Sequence, residues 1–299
     1  MDKSTIEKIN HYKKTRDAII LAHNYQVMEV QKIADFTGDS LQLARIAAEL
    51  DHKVIMFCGV RFMAETAKLL NPQAKVILPV KEAGCPMADM ITGAQLRAFK
   101  AKYENPWVVC YVNSSVEVKA ESDICCTSGN AVRVLQSIAP DKQILFVPDR
   151  NLGSYAAKIT GRQVILWEGF CNVHEWIEVS DVDAARAKYP GYSLIAHPEC
   201  KPAVLEKVDF IASTKGMADY VAENDRVIIG TEIGLYHQLQ SKYPGKKLAP
   251  LSEKTICINM KKTTLADVLR SIETEEHEIN IPEEVASRAL KSVERMIKI

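Results

Sequence analysis

No two of the 8 cysteines are spaced C-x-x-C, so the sequence offers neither a zinc-ribbon knuckle nor a thioredoxin-type dithiol. Nor is there an excess of charge of either sign. Lys+Arg and Asp+Glu both number 38, which argues against an electrostatic interface with nucleic acid or an acidic membrane. No apolar run is long enough to span a bilayer. Met1-Asp2-Lys3-Ser4-Thr5 opens into polar helix without an apolar signal core, and the expected location is the cytoplasm. A reducing cytoplasm argues in turn against a disulfide framework. No Gly-, Pro- or Ser-rich linker divides the chain, which predicts one compact body. No G-x-G-x-x-G follows the first apolar run, which disfavours a nicotinamide cofactor.

What the chain does have is a period. Cys85, Cys171 and Cys257 lie 86 residues apart. His23, Tyr111 and His197 follow at 88 and 86, and so do Ser40, Ser128 and Thr214. Tyr103 and Tyr189, each preceded by Ala-Lys, are again 86 apart. A spacing shared by several residue types reads as one structural unit used three times, with each unit supplying one cysteine to a common point.

The units also repeat their local pattern. Continuous apolar runs such as Ala18–Ala22, Trp107–Val112 and Ser193–Ala196 carry the signature of buried parallel strands, and amphipathic helices lie between them. The fold class is therefore α/β: three homologous three-layer αβα units with parallel sheets around a pseudo-threefold axis. The boundaries fall at 1–85, 86–171 and 172–257, with helices in 258–299 packed back on the first unit. The last of these is predicted to bury Val285, Ala289, Val293, Met296 and Ile297. Parallel sheets present binding residues at the carboxyl ends of their strands, which here would surround one central cavity.

Three converging thiolates suit zinc or an iron–sulfur cluster, and spacing leaves both open, with a purely structural metal as a further alternative. The turns at Thr37-Gly38-Asp39-Ser40, Ser128-Gly129 and Thr214-Lys215-Gly216 each precede a helix, where free N–H groups and a hydroxyl bind carboxylate or phosphate. His23, Tyr25, Tyr111, Asn113, His197 and Glu199 are able to donate hydrogen bonds or exchange protons, with Glu199 the candidate general base. His174, three residues after Cys171, is a candidate to orient that loop. Cys58, Cys110, Cys125 and Cys126 read as core, Cys200 as ambiguous, and His11, His52, His237 and His277 as surface residues.

The strings Ile20-Leu21-Ala22-His23-Asn24-Tyr25-Gln26, Gly38-Asp39-Ser40-Leu41-Gln42-Leu43-Ala44, Phe62-Met63-Ala64-Glu65, Cys85-Pro86-Met87-Ala88, Tyr111-Val112-Asn113-Ser114 and His197-Pro198-Glu199-Cys200 resemble the quinolinate synthase family. Gly230-Thr231-Glu232 and Cys257-Ile258-Asn259-Met260-Lys261 extend the resemblance across essentially the whole chain. It implies a dehydrating, condensing transferase of NAD biosynthesis that joins iminosuccinate (iminoaspartate) to dihydroxyacetone phosphate, giving quinolinate, phosphate and water. It implies a [4Fe–4S] cluster on Cys85, Cys171 and Cys257 with one open iron site acting as a Lewis acid. Substrate contacts would fall on His23, Ser40, Tyr111, Asn113, Ser128, His197, Glu199 and Thr214, and proton-transfer roles on Tyr25, Tyr111, His23 and Glu199. It also implies functional coupling to L-aspartate oxidase, and no nucleic-acid or membrane partner. Arg61, Asn172 and Lys215 depart from the family's usual wording without removing a ligand, and the role of Lys215 stays open.

Two other classes compete. A three-cysteine zinc hydrolase or lyase would be colourless where an iron–sulfur protein is brown. A non-catalytic iron–sulfur sensor would need a partner or DNA surface, and no basic or helix-turn-helix segment supplies one.

Overall fold

The computed structural model describes residues 3–299. Its described strands form three four-stranded parallel sheets. The first holds β1 (Ala18–His23), β2 (Phe36–Gly38), β3 (Val54–Cys58) and β4 (Lys75–Ile77), in the order β2-β1-β3-β4. The second holds β5 (Trp107–Tyr111), β6 (Ile124–Cys126), β7 (Ile144–Val147) and β8 (Val164–Leu166), in the order β6-β5-β7-β8. The third holds β9 (Ser193–Ala196), β10 (Phe210–Ile211), β11 (Arg226–Gly230) and β12 (Lys247–Pro250), in the order β10-β9-β11-β12. One topology is therefore used three times, with helices on the sheet faces, as the period predicts.

The repeat reaches individual hydrogen bonds. Leu21 pairs with Phe36, Val109 with Ile124 and Ile195 with Phe210, the same register in each unit. Ahead of each edge strand an aspartate accepts a strand N–H: Asp35 from Ile20 at 2.8 Å, Asp123 from Val108 at 2.8 Å and Asp209 from Leu194 at 2.7 Å. Each aspartate returns its own N–H to the carbonyl of the same residue. This reciprocal pair ends the segment before the edge strand and fixes the register without a long ladder.

The inner strands are apolar on both faces because helices cover both. Ile20, Leu21, Ile55, Val109, Phe146 and Ile228 are fully buried. Cys58, Cys110, Cys125 and Cys126 lie in this core as read. Cys200 joins them, with its thiol directed to Gly230 O. Two readings change. Thr37-Gly38, read as part of a turn, belongs to edge strand β2. His52 and His277 are half-buried, while His11 and His237 are exposed. The C-terminal helix Glu283–Ile297 buries Ala289, Val293 and Met296 and packs against the helices Val116–Ala120 and Arg61–Leu70 and against β6. The helix Leu265–Thr274 packs on the helix Lys3–Thr15. No helix among the described residues is long and apolar enough to cross a membrane.

Candidate active site

Parallel strands deliver their carboxyl ends to one side of a sheet, and the three sheets turn that side inward on a shared cavity of about 700 Å³, mouth included. His23 ends β1, Tyr111 ends β5, and His197 follows β9. Ser40, Ser128 and Thr214 stand at the turns into the helices beside the edge strands. Asp39 and Ser213 cap two of those helices, accepting from Gln42 N–H at 2.9 Å and Gly216 N–H at 3.3 Å. Cys85, Cys171 and Cys257 come from the three loops after the fourth strands. All of these line the cavity except Ser213, together with Tyr25, Asn113 and Glu199, so every residue singled out as a site candidate faces one space. Asp39, His174, Glu232, Val60 and Met260 line it too.

The three thiols share an environment. Each faces backbone N–H groups two or three residues on: Met87 and Ala88 for Cys85, His174 for Cys171, Asn259 and Met260 for Cys257. These N–H groups favour thiolate, yet burial wins. It pushes Cys85 up to about 12, Cys171 well above the ordinary thiol and Cys257 upward, and the charges of neighbouring acidic groups add to it. Cys257 raises Cys85 in this way, and Cys85 raises Cys171. Three thiolates gathered here need a cation to hold them. The three sulfurs do not form a set within 4.8 Å of one another, so the donor set fits the wider span of an iron–sulfur cluster and not a single ion.

A second donor group, Cys171, His174 and Glu199, has ligand atoms within 4.8 Å of one another. Hydrogen bonding accounts for it. His174 Nδ1 is 2.7 Å from Glu199 Oε2 and 3.2 Å from Cys171 Sγ. His174 Nε2 is 2.8 Å from Thr231 Oγ1, which is 2.7 Å from the Tyr25 hydroxyl. The direction of this chain follows from its end. Burial would raise the Glu199 carboxyl, but the charges and hydrogen bonds of His174 and His197 hold it well below the usual carboxylate range. An ionised carboxylate only accepts, so His174 donates to it from Nδ1; in the neutral form of His174, Nε2 then accepts from Thr231, and Thr231 accepts from Tyr25. Glu199 Oε1 is buried without a partner and is free to receive a group from the cavity. Burial, with the Glu199 charge, holds the Tyr25 and Tyr111 phenols well above their ordinary value, so both remain protonated.

His23 accepts the Tyr25 N–H at Nδ1 (3.1 Å), which leaves the ring proton on Nε2. Burial, then the charges of Lys261 and His197, lowers it from 6.5 to about 3. The unfolded chain therefore binds a proton over this range that the folded chain refuses. The stability that this difference confers is complete above pH 6.5 and is lost as pH falls toward 3. Between pH 6.5 and pH 5 the loss is about 2 kcal/mol. Urea unfolding of the wild type and of His23→Gln at pH 7 and pH 5 checks this. The wild type should lose about 2 kcal/mol more than the variant, and equal losses would refute it.

With the geometry in place, comparison with known proteins is direct. The family model described as quinolinate synthetase A protein matches residues 7–298. The chain belongs to the quinolinate synthetase A family. Curated relatives named quinolinate synthase include those of Desulforudis audaxviator (51% identical over 296 residues, 98% of either chain) and Methanoregula boonei (50% over 295 residues, 98% of this chain and 97% of the relative). That of Alkaliphilus metalliredigens is 48% identical over 301 residues, 100% of this chain and 99% of the relative.

Family membership and geometry together bring out residues that the sequence reading did not single out for a role. Thr231 stood within a matching motif, Gly230-Thr231-Glu232, and the structure gives it a place between His174 and Tyr25. Asp149 and Glu232 also sit just past strand ends. Lys215 pairs with Asp219 one turn along its helix, at 2.5 Å, and its charge works against the burial that raises Asp39.

Proposed function

We propose that this member of the quinolinate synthetase A family condenses iminosuccinate with dihydroxyacetone phosphate to give quinolinate, phosphate and water in NAD biosynthesis. The observation that carries the reading is three cysteines from three equivalent loops lining the cavity that also holds the Tyr25–Thr231–His174–Glu199 chain. Cys85, Cys171 and Cys257 hold a [4Fe–4S] cluster. When bound, it supplies a Lewis-acidic iron with an open position that polarises a substrate group.

Both substrates are anions, and the three helix-start turns receive their carboxylates and phosphate through Ser40, Ser128, Thr214 and nearby N–H groups. His23, neutral, donates from Nε2. His197 sets the Ser128 hydroxyl, 3.1 Å from its Nε2. Asn113 Oδ1, buried without a partner, accepts from a substrate N–H or O–H. Tyr25 gives its proton to Thr231 and so turns an oxygen lone pair to the substrate. A proton taken there passes through Thr231 to His174, whose resulting charge Glu199 balances. Because the phenol stays protonated at rest, Tyr25 relays the proton without carrying a full negative charge. Tyr111 remains a donor to the departing water or phosphate.

The test is protein purified without oxygen, assayed for iron, sulfide and visible absorbance, then supplied with iminosuccinate and dihydroxyacetone phosphate. A brown protein with about four irons per chain that forms quinolinate is the expected result. A colourless zinc protein, or a cluster protein inert with these substrates, overturns the reading.

A further inference from the structure

Two of the three cysteine loops are tied down by a buried carboxylate, and the third is not. In each unit a backbone bond joins the helix after the third strand to the residue two before the cysteine. Arg61 N–H donates to Ala83 O at 2.8 Å, Arg150 N–H to Gly169 O at 2.8 Å, and Ile233 N–H to Thr255 O at 2.9 Å. The residues just before these donors, Val60, Asp149 and Glu232, are therefore equivalent. Asp149 Oδ2 accepts the Cys171 N–H at 3.2 Å while Oδ1 accepts from Leu152 N–H at 2.7 Å. Glu232 Oε1 accepts the Cys257 N–H at 3.0 Å while Oε2 accepts from Gly234 N–H at 2.7 Å. Both side chains are fully buried.

Each carboxylate thus bridges a helix start and a cysteine amide and fixes the distance between them. The clasp at Cys257 is reinforced by Lys261, whose Nζ lies 2.9 Å from Glu232 Oε1 and donates to Tyr25 O. A Cβ at Gly234 would stand 2.7 Å from both Glu232 Oε2 and Lys261 Nζ, so glycine is what allows the clasp to close. Val60 has nothing to offer the Cys85 N–H, and among the described residues no carboxylate takes that place. Gly84, just before Cys85, has open space where a side chain would be.

We propose that Asp149 and Glu232 are positioning residues for two of the three cluster thiolates, each acting through the amide of its own cysteine, and that Cys85 is the ligand released first. The inference rests on the cluster reading above. Removing a clasp leaves a buried N–H unsatisfied and frees one loop, while the other two keep their bonds.

The test uses holoenzyme under argon, with an iron chelator and limiting iodoacetamide, and reads alkylation at every cysteine by peptide mass spectrometry. In the wild type Cys85 takes label before Cys171 and Cys257, an order that needs no variant. Asp149→Ala speeds labelling of Cys171 about tenfold and leaves Cys257 unchanged, and Glu232→Ala does the reverse. Asp149→Asn, which keeps one acceptor oxygen but turns an amide NH2 toward one of the two N–H donors, restores the slow rate only in part. A merely structural role would instead speed all sites together, including the buried Cys58 and Cys126, and that result overturns the proposal. So does simultaneous labelling of the three ligands in the wild type. A wild-type chain without iron overturns the cluster reading and this inference with it. Iron-loaded wild type with unchanged labelling in both alanine variants overturns this inference alone.

Discussion

Cys171→Ala should yield a folded, colourless chain with no iron–sulfur absorbance and no quinolinate formation. The side chain removed is small and only partly buried, at a loop end, so the sheets lose little packing. The thiol set loses much more. Two thiolates do not enclose a cluster that normally takes four protein ligands and here has three. The loss should be nearly complete, and iron and sulfide content per chain measures it directly. Thermal melting of the metal-free forms provides the control, since both should unfold within a few degrees of each other. A variant that keeps an intact cluster would break the three-ligand scheme and direct attention to His174 and Glu199 as replacement donors.

Glu199→Gln should leave the absorbance in place and cut turnover by about a thousandfold. The reason lies in the direction of the chain from Tyr25. A carboxylate at its end only accepts, which puts a proton on His174 Nδ1 and leaves Nε2 open to Thr231. A glutamine amide is able to donate to Nδ1, which moves the histidine proton to Nε2 and sets it against Thr231. The relay then runs the wrong way although every side chain stays in place. The pH profile provides a second readout, since the variant removes a carboxylate held well below the usual range by its histidine neighbours. Full activity in this variant would remove Glu199 from the chemistry.

The threefold plan was legible because it is written in equal spacings. The edge-strand aspartates, Asp35, Asp123 and Asp209, follow the same 88 and 86 steps as the histidine, tyrosine and serine positions. The period breaks elsewhere. Val60, Asp149 and Glu232 stand 89 and 83 residues apart, because the segments before them differ in length. Their equivalence appears only when the three backbone bonds beside them are superposed in thought. Thr231 was hidden for a related reason. A threonine after an apolar strand is ordinary, and its meaning comes from His174 on one side and Tyr25, 206 residues away, on the other. Strand β2 was missed because Phe36-Thr37-Gly38 is three residues long and ends in glycine, which reads locally as a turn. Half-burial of His52 and His277 depends on long-range packing that no local pattern records.

The cavity belongs to no single unit. Its walls come from the ends of three sheets that never share a strand, and each sheet brings one thiol. A nascent chain that stops before β9 has finished two complete sheets and still possesses no enclosed chamber. Assembly of the site therefore behaves as a logical AND over the whole polypeptide, and copies truncated before the third unit hold at most two of the three thiols.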